Sequence, residues 1–173
     1  MQLIRCTTKL LKEVGVKPHD LEQTEPTFSF LGQWHANLLL IERKKCVLFV
    51  NDRTLFNFIV PGVIRAQIRS LGCLFRDHLR CALANEGFSE QQVDQILSEY
   101  DDLKIAKSSD RSVLGCSNDF AFHYKYQITR HGGIHSWKVP EIIREMNRMP
   151  MHAATPRSMF PIRELKSLCG NAV

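Results

Sequence analysis

The chain has 173 residues, of which 44% are apolar and 24% charged, the balance of one folded globular domain and not of a disordered or fibrous chain. Lys and Arg number 23 against 18 Asp and Glu, a net charge of +5, which favours anionic partners without naming one. A chain of this length buries roughly 70% of its extended surface on folding, so neither a disulfide nor a structural metal is required.

The longest apolar runs, Leu38–Ile41 and Val47–Val50, are of strand length, far short of the roughly 20 residues that cross a bilayer. Met1 to Cys6 lacks the basic start and apolar run of a signal peptide. Six cysteines (Cys6, Cys46, Cys73, Cys81, Cys116, Cys169) show no Cys-x-x-Cys spacing, so they read as reduced thiols in a cytoplasmic protein with no membrane association.

In chain order, residues 2–6 form a short strand, and Thr8 caps a helical turn through Leu10, Leu11 and Val14 that Gly15 ends. Residues 16–33, with Pro18, Pro26 and Gly32, are a long loop. Trp34 to Ile41 and Cys46 to Val50 carry the strongest strand signal, joined by the polar Glu42-Arg43-Lys44-Lys45 as a hairpin. Asn51 to Thr54 is a second turn, and Leu55 to Val60 a third strand. Runs apolar on both faces predict central strands covered on both sides.

Pro61-Gly62 breaks the pattern before a long helix from Val63 to Asn85, with Ile64, Ile68, Leu71, Phe75, Leu79 and Ala82 on one face. Gly87 stops it. Ser89-Glu90-Gln91-Gln92 is a capping box, with Phe88 and Val93 placed as a hydrophobic staple. Val93, Ile96, Leu97 and Tyr100 make the buried stripe of the next helix. Asp101 to Lys107 is an edge strand or extended connection. Asp110 or Ser112 caps a third helix that runs to Arg130 and ends at Gly132-Gly133. Pro140 opens a short helix with Ile142, Ile143 and Met146 on one face. Pro150, Pro156 and Pro161 punctuate the end, where Ile162, Leu165 and Leu168 form a last turn or two.

The pattern predicts one α+β domain over 1–149, a small and mainly antiparallel sheet packed by two long helices and the shorter capped helix. Residues 150–173 are a Pro-punctuated basic segment on or beyond it.

The charge is uneven: residues 1–129 carry a net +1 and residues 130–173 a net +4, with His131, His135 and His152 in the second part. Such an end can reach phosphates or an acidic surface, or only solvate the protein. On a continuous helix, Arg65, Arg69, Arg76 and Arg80 fall within an arc of roughly 60°. Four guanidiniums in a row can grip phosphates or carboxylates bidentately, or lay their stems beside the buried face with Asp77 neutralising one.

His35 and Asn37 share one face of their strand. If Ile41 pairs with Cys46, His35 lies opposite Asp52, and a carboxylate beside an imidazole suits a general base. A turn-shaping contact is the plainer alternative, and a one-residue slip destroys the pair. Ser117 lies mid-face on the third helix, where a hydroxyl commonly bonds the carbonyl four residues back. Phe122 and Tyr126 lie on the opposite side and mark burial there or an interface for self-association. His131 and His135 lack the further ligands a metal site needs, so no metal is expected. No cofactor is expected either: no phosphate-cradling or dinucleotide loop, nucleophile elbow or metalloprotease motif occurs.

The runs Trp34-His35-Ala36-Asn37-Leu38, Lys45 to Asp52 and Ser112 to Asp119, with Ile4-Arg5-Cys6-Thr7, resemble a family of small prokaryotic proteins of unknown function. The resemblance spans most of residues 2–130. It implies a single domain and no established activity. It implies that its three blocks converge, bringing together His35, Asn37, Asn51, Asp52, Ser117, Asn118 and Asp119.

The function expected from all this is a binding or regulatory module, self-associating, that engages nucleic acid or an acidic protein through the arginine row and the basic end. A small hydrolase or transferase using His35 and Asp52 is the second expectation. An accessory or antitoxin-like subunit of a complex is the third.

Overall fold

A computed structural model describes residues 1–23, 29–108, 111–151 and 160–170. Five strands form one sheet in the order β4-β3-β2-β1-β5: β1 (Gln2–Cys6), β2 (Trp34–Ile41), β3 (Lys44–Asn51), β4 (Asn57–Val60) and β5 (Leu103–Lys107). β2, β3 and β4 pair antiparallel, whereas β1 runs parallel to both its neighbours, β2 and β5. The sheet is therefore mixed, and its longest ladder, β2–β3, is antiparallel.

The β2–β3 turn is tighter than the expected four-residue loop. Ile41 pairs with Lys44, not with Cys46, leaving only Glu42 and Arg43 in the turn, both in the left-handed region at φ 49° and 64°. That geometry matches the twist of the flanking strands, and it corrects the register inferred above. His35 faces Val50, and Trp34 faces Asn51.

Because side chains alternate along each strand, the sheet feeds two separate cores. One face carries Ile4, Cys6, Trp34, Ala36, Val47, Phe49 and Phe58. Against it pack α1 (Thr8–Val14), α2 (Arg65–Arg69), α3 (Leu71–Asn85), α4 (Glu90–Ser98) and α7 (Pro161–Gly170). At its centre Trp34 meets Phe58, Phe75 and Tyr100 edge-on, with ring centroids 5.6, 5.1 and 6.5 Å away. The indole N–H donates to the Tyr100 hydroxyl at 3.0 Å, which donates to the Gly32 carbonyl at 3.1 Å. Both polar ends of this apolar cluster are thus satisfied. The other face carries Ile41, Cys46, Leu48, Val50 and Ile59 under α5 (Arg111–Arg130) and α6 (Val139–Met146).

The helix expected from Val63 to Asn85 is two helices. Ser70, at φ −99° and ψ 48°, breaks it, and its N–H bonds the Gln67 carbonyl while Leu74 N–H bonds its own carbonyl. Ile68 and Leu71, on either side of the break, both lie in the first core. The capping box at Ser89 forms as expected: its hydroxyl accepts from Gln92 N–H at 3.3 Å, and Gln92 Oε1 accepts from Ser89 N–H at 3.0 Å. Thr7, not Thr8, is the residue before α1. The cap expected at Asp110, together with Pro26, His152 and Pro156, lies outside the described residues; Ser112 lies inside α5.

Two buried polar links tie α6 to the rest. Asn147, fully buried after α6, accepts from Asn57 N–H at 2.8 Å and donates to the Asn57 carbonyl at 2.7 Å, as a neighbouring strand would. Tyr124 of α5 donates to Asn57 Oδ1 at 2.7 Å. Next to this link, Arg148 forks onto Glu86 at 2.9 and 2.6 Å, neutralising a buried carboxylate at the end of α3.

Candidate functional site

β1 and β5 lie side by side and parallel, yet the chain leaves them in opposite directions. After β1 it enters α1 on the first core, and after β5 it enters α5 on the second. The carboxyl ends of two strands that part in this way are the place where open sheets bind ligands. Backbone bonds join the strand ends there: Thr7 N–H bonds the Ala36 carbonyl, and Ser108 N–H bonds the Cys6 carbonyl, each at 3.0 Å.

The side chains gathered here come from three strands and share the α5 face. Arg5 of β1 is in register with His35 of β2 on one side and Ala106 of β5 on the other. The His35 ring, buried to 3% exposure, shares a hydrogen bond between Nδ1 and the Ser108 hydroxyl at 2.9 Å. Arg5 turns the other way and donates from Nε to Gln33 Oε1. Thr7 donates to Asn37 Oδ1 at 3.2 Å. His35 and Ser108 thus form one hydrogen-bonded pair and Thr7 and Asn37 another, with the Arg5 guanidinium held towards Gln33.

Asp52 borders this group. Its backbone N–H bonds the Gln33 carbonyl at 3.2 Å, so by register it sits opposite Gln33 and diagonal to His35, a step of about 7–8 Å across a ladder. The expected direct His35–Asp52 pairing is therefore corrected by the two-residue turn. Its buried Oδ1 has no hydrogen-bond partner among the described residues. Burial pushes the carboxyl up to about 6, against the pull of backbone N–H groups and the guanidiniums of Arg5 and Arg53. Gly32, at φ +76°, leaves the space this carboxylate occupies, since a Cβ there would come 3.1 Å from Oδ1 and 2.9 Å from Arg53 Cδ.

The remaining expected residues separate by face. Asn51 points to the first core and holds the turn: its amide donates to the Leu31 carbonyl at 2.9 Å, and its Oδ1 accepts from Thr54 N–H and hydroxyl, both at 2.9 Å. Ser117 is buried on the inner face of α5, but Asn118 and Asp119 are exposed on its outer side. The three-block convergence is corrected for those two: a helix in contact with the sheet cannot turn successive residues 117, 118 and 119 to the same side. Phe122 and Tyr126 are exposed, at 71% and 53%, with the Arg130 guanidinium 5.9 Å over the Tyr126 ring.

The arginine row is not continuous. Arg65 and Arg69 belong to α2, while Arg76 and Arg80 belong to α3 beyond the Ser70 break. Arg76 pairs with Asp101, and Arg80 with Asp94 at 2.8 Å, so acids other than Asp77 meet half of the row. His131 bonds the Gln127 carbonyl through Nδ1 at 2.9 Å. Among the described residues no three His, Cys, Asp or Glu groups stand close enough to hold a metal ion, and no helix is long and apolar enough to cross a membrane.

Arg5, Gln33 and Ser108 are the members of the group that sequence reasoning missed. Arg5 had a signal, a charged residue at an inward position of an otherwise buried strand. Ser108 had none, because its meeting with His35 depends on β1–β5 pairing across about a hundred residues.

A family model described as "Domain of unknown function (DUF6933)" matches residues 3–164. No curated protein and no solved structure matches the chain.

Proposed function

For a chain that belongs to this domain family of unknown function, DUF6933, we propose that it is a binding module for a small anionic molecule, one bearing a phosphate or carboxylate. The ligand is held at the carboxyl ends of β1 and β5. Arg5 is the cationic contact, and Ser108, Thr7 and His35 are the hydrogen-bonding contacts. One observation carries this reading: the strands part to opposite faces where Ser108 meets His35, with Arg5 in register between their strands. It moves the anionic partner expected from the sequence away from the arginine row, whose Arg76 and Arg80 are already paired. The test is calorimetric titration with inorganic phosphate and with short dicarboxylates. Binding should weaken as salt rises, fall at least tenfold in Arg5→Ala, and fall less in Ser108→Ala. Unchanged binding by Arg5→Ala, or no binding of any of these anions, refutes the reading.

The 2.9 Å contact of Ser108 with His35 favours a second reading, a small hydrolase or transferase. A hydroxyl within hydrogen-bond reach of an imidazole is the pairing of a nucleophile with its base. Here Ser108 takes the place next to His35 that the sequence suggested for Asp52. Hydrolysis of activated esters lost in both His35→Ala and Ser108→Ala, with folding retained, would support it; equal turnover in the variants would end it.

We place the protein in the cytoplasm on the support of its free thiols. Self-association rests on the exposure of Phe122 and Tyr126, and a concentration-dependent mass that Phe122→Glu abolishes would support it.

A further inference from the structure

β4 is an edge strand of the sheet, and its outward-facing backbone can be assigned residue by residue. Asn51 N–H bonds the Phe56 carbonyl at 2.8 Å, so Phe56 faces inward to β3. Asn57 faces outward, since Asn147 holds both its N–H and its carbonyl. Strand alternation then turns Phe58 inward and Ile59 outward. The edge ends at Pro61, which has no N–H to offer.

Ile59 therefore directs one donor and one acceptor away from the sheet. They lie at the floor of a cleft of about 240 Å³ between α3, the edge of β4 and the start of α6. The second-core side of this cleft is walled by Ile134, Val139, Pro140 and Ile143. The α3 side presents His78, Cys81, Ala82 and Asn85, and Ser136 stands on the loop before α6. Buried backbone groups require partners, and among the described residues none bonds the Ile59 backbone from this side. Asn147 shows what such a partner looks like: at Asn57 its amide does what an extended residue does, accepting from the N–H and donating to the carbonyl.

We propose that this cleft binds a single residue of an extended peptide, which pairs with Ile59 as one further rung of the sheet. The peptide residue's carbonyl accepts from Ile59 N–H, and its N–H donates to the Ile59 carbonyl. Residues directly opposite in a sheet place their side chains on one face, so its side chain goes where Ile59 points, towards Ile134 and Val139. It is therefore apolar. Asn147 blocks the edge at Asn57 and Pro61 ends it on the other side, so recognition is one residue wide. This site lies on the opposite edge of the sheet from β1 and β5 and does not depend on the anion site.

Cys81 lines the cleft, while Cys73, eight residues earlier on the same helix, is exposed and does not line it. The two thiols are reporter and internal control. The probe is N-acetyl-leucine N-methylamide; its comparison is the depsi analogue, in which an ester oxygen replaces the leucine N–H. Alkylation of the full chain is followed by mass spectrometry of each cysteine. The amide should slow modification of Cys81, leave Cys73 unchanged, and shift the Ile59 amide resonance. The depsi analogue, with an oxygen facing the Ile59 carbonyl, should bind roughly tenfold more weakly. Ser136→Trp, which fills the cleft from a half-exposed loop position, should abolish protection. No protection of Cys81 at the solubility limit overturns the proposal. So does equal protection by the depsi analogue, which would mean an apolar cleft without edge pairing, and so does parallel protection of Cys73.

Discussion

Asp52→Asn should make the protein more stable at neutral pH, an unusual direction for changing a charged residue beside two arginines. The carboxyl is pushed from its ordinary value of 3.8 up to about 6 by burial, and Oδ1 has no hydrogen-bond partner among the described residues. Ionising it therefore costs more in the folded than in the unfolded chain. Below about pH 4 both states hold the proton and the group is neutral to stability. As pH rises from 3.8 towards 6 the unfolded chain releases its proton first, and stability falls until the folded carboxyl also ionises. A shift of roughly two units corresponds to about 3 kcal/mol, and partial solvent access reduces this to about 2 kcal/mol. The neutral amide has nearly the same shape and escapes that cost. In urea unfolding followed by tryptophan fluorescence, Asp52→Asn should gain about 2 kcal/mol near pH 7.5 and nearly nothing near pH 4. The gain corresponds to roughly 4–8 °C in Tm for a chain of this size. A variant that is less stable at pH 7.5, or whose gain is the same at both pH values, refutes the assignment of a desolvated carboxyl.

Four further outcomes concern stability. Asn147→Ala strips partners from the N–H and carbonyl of buried Asn57, which should cost about 3–5 kcal/mol in chemical denaturation, whereas Tyr124→Phe, losing one bond to Asn57 Oδ1, should cost about 1–2 kcal/mol. Arg148→Ala leaves the Glu86 carboxylate, 1% exposed, without its cation; the loss should be about 2–3 kcal/mol and should shrink in a Glu86→Gln background. Replacing Glu42-Arg43 by Asn-Gly relieves two side chains held at positive φ and should stabilise by about 1 kcal/mol, seen as a higher urea midpoint.

Much of the helical layer was legible because its signals are local. The Ser89 box forms as its spacing implies, and α5 runs to Arg130 with Phe120, Tyr124 and Ile128 buried on the stripe that its period marks. The break at Ser70 was not legible, since Ile68 to Ala82 keep one apolar stripe whether or not the axis bends; Ile64, expected on that stripe, precedes α2 and is exposed. The hairpin was visible but its register was not. Glu42-Arg43 contains neither the Asn nor the Gly that announces a two-residue turn, and a four-residue loop moves Asp52 two residues along β2, from Gln33 to His35. His35 was found because it opens an apolar strand. Its partner Ser108 sits in an unremarkable polar stretch.

By itself, then, the amino-acid order determined a single α+β domain, the capped start of α4 and most of the buried stripe of each helix. These follow from side-chain periodicity and capping, which act over a few residues. Only the tertiary structure decided that β1 lies parallel between β2 and β5, that the chain leaves β1 and β5 for opposite faces, and that His35 and Ser108 meet where it does. Those facts depend on which strands pair across long stretches of chain. Backbone hydrogen bonds are nearly the same for every pairing, so the choice is made by how all the buried faces fit together.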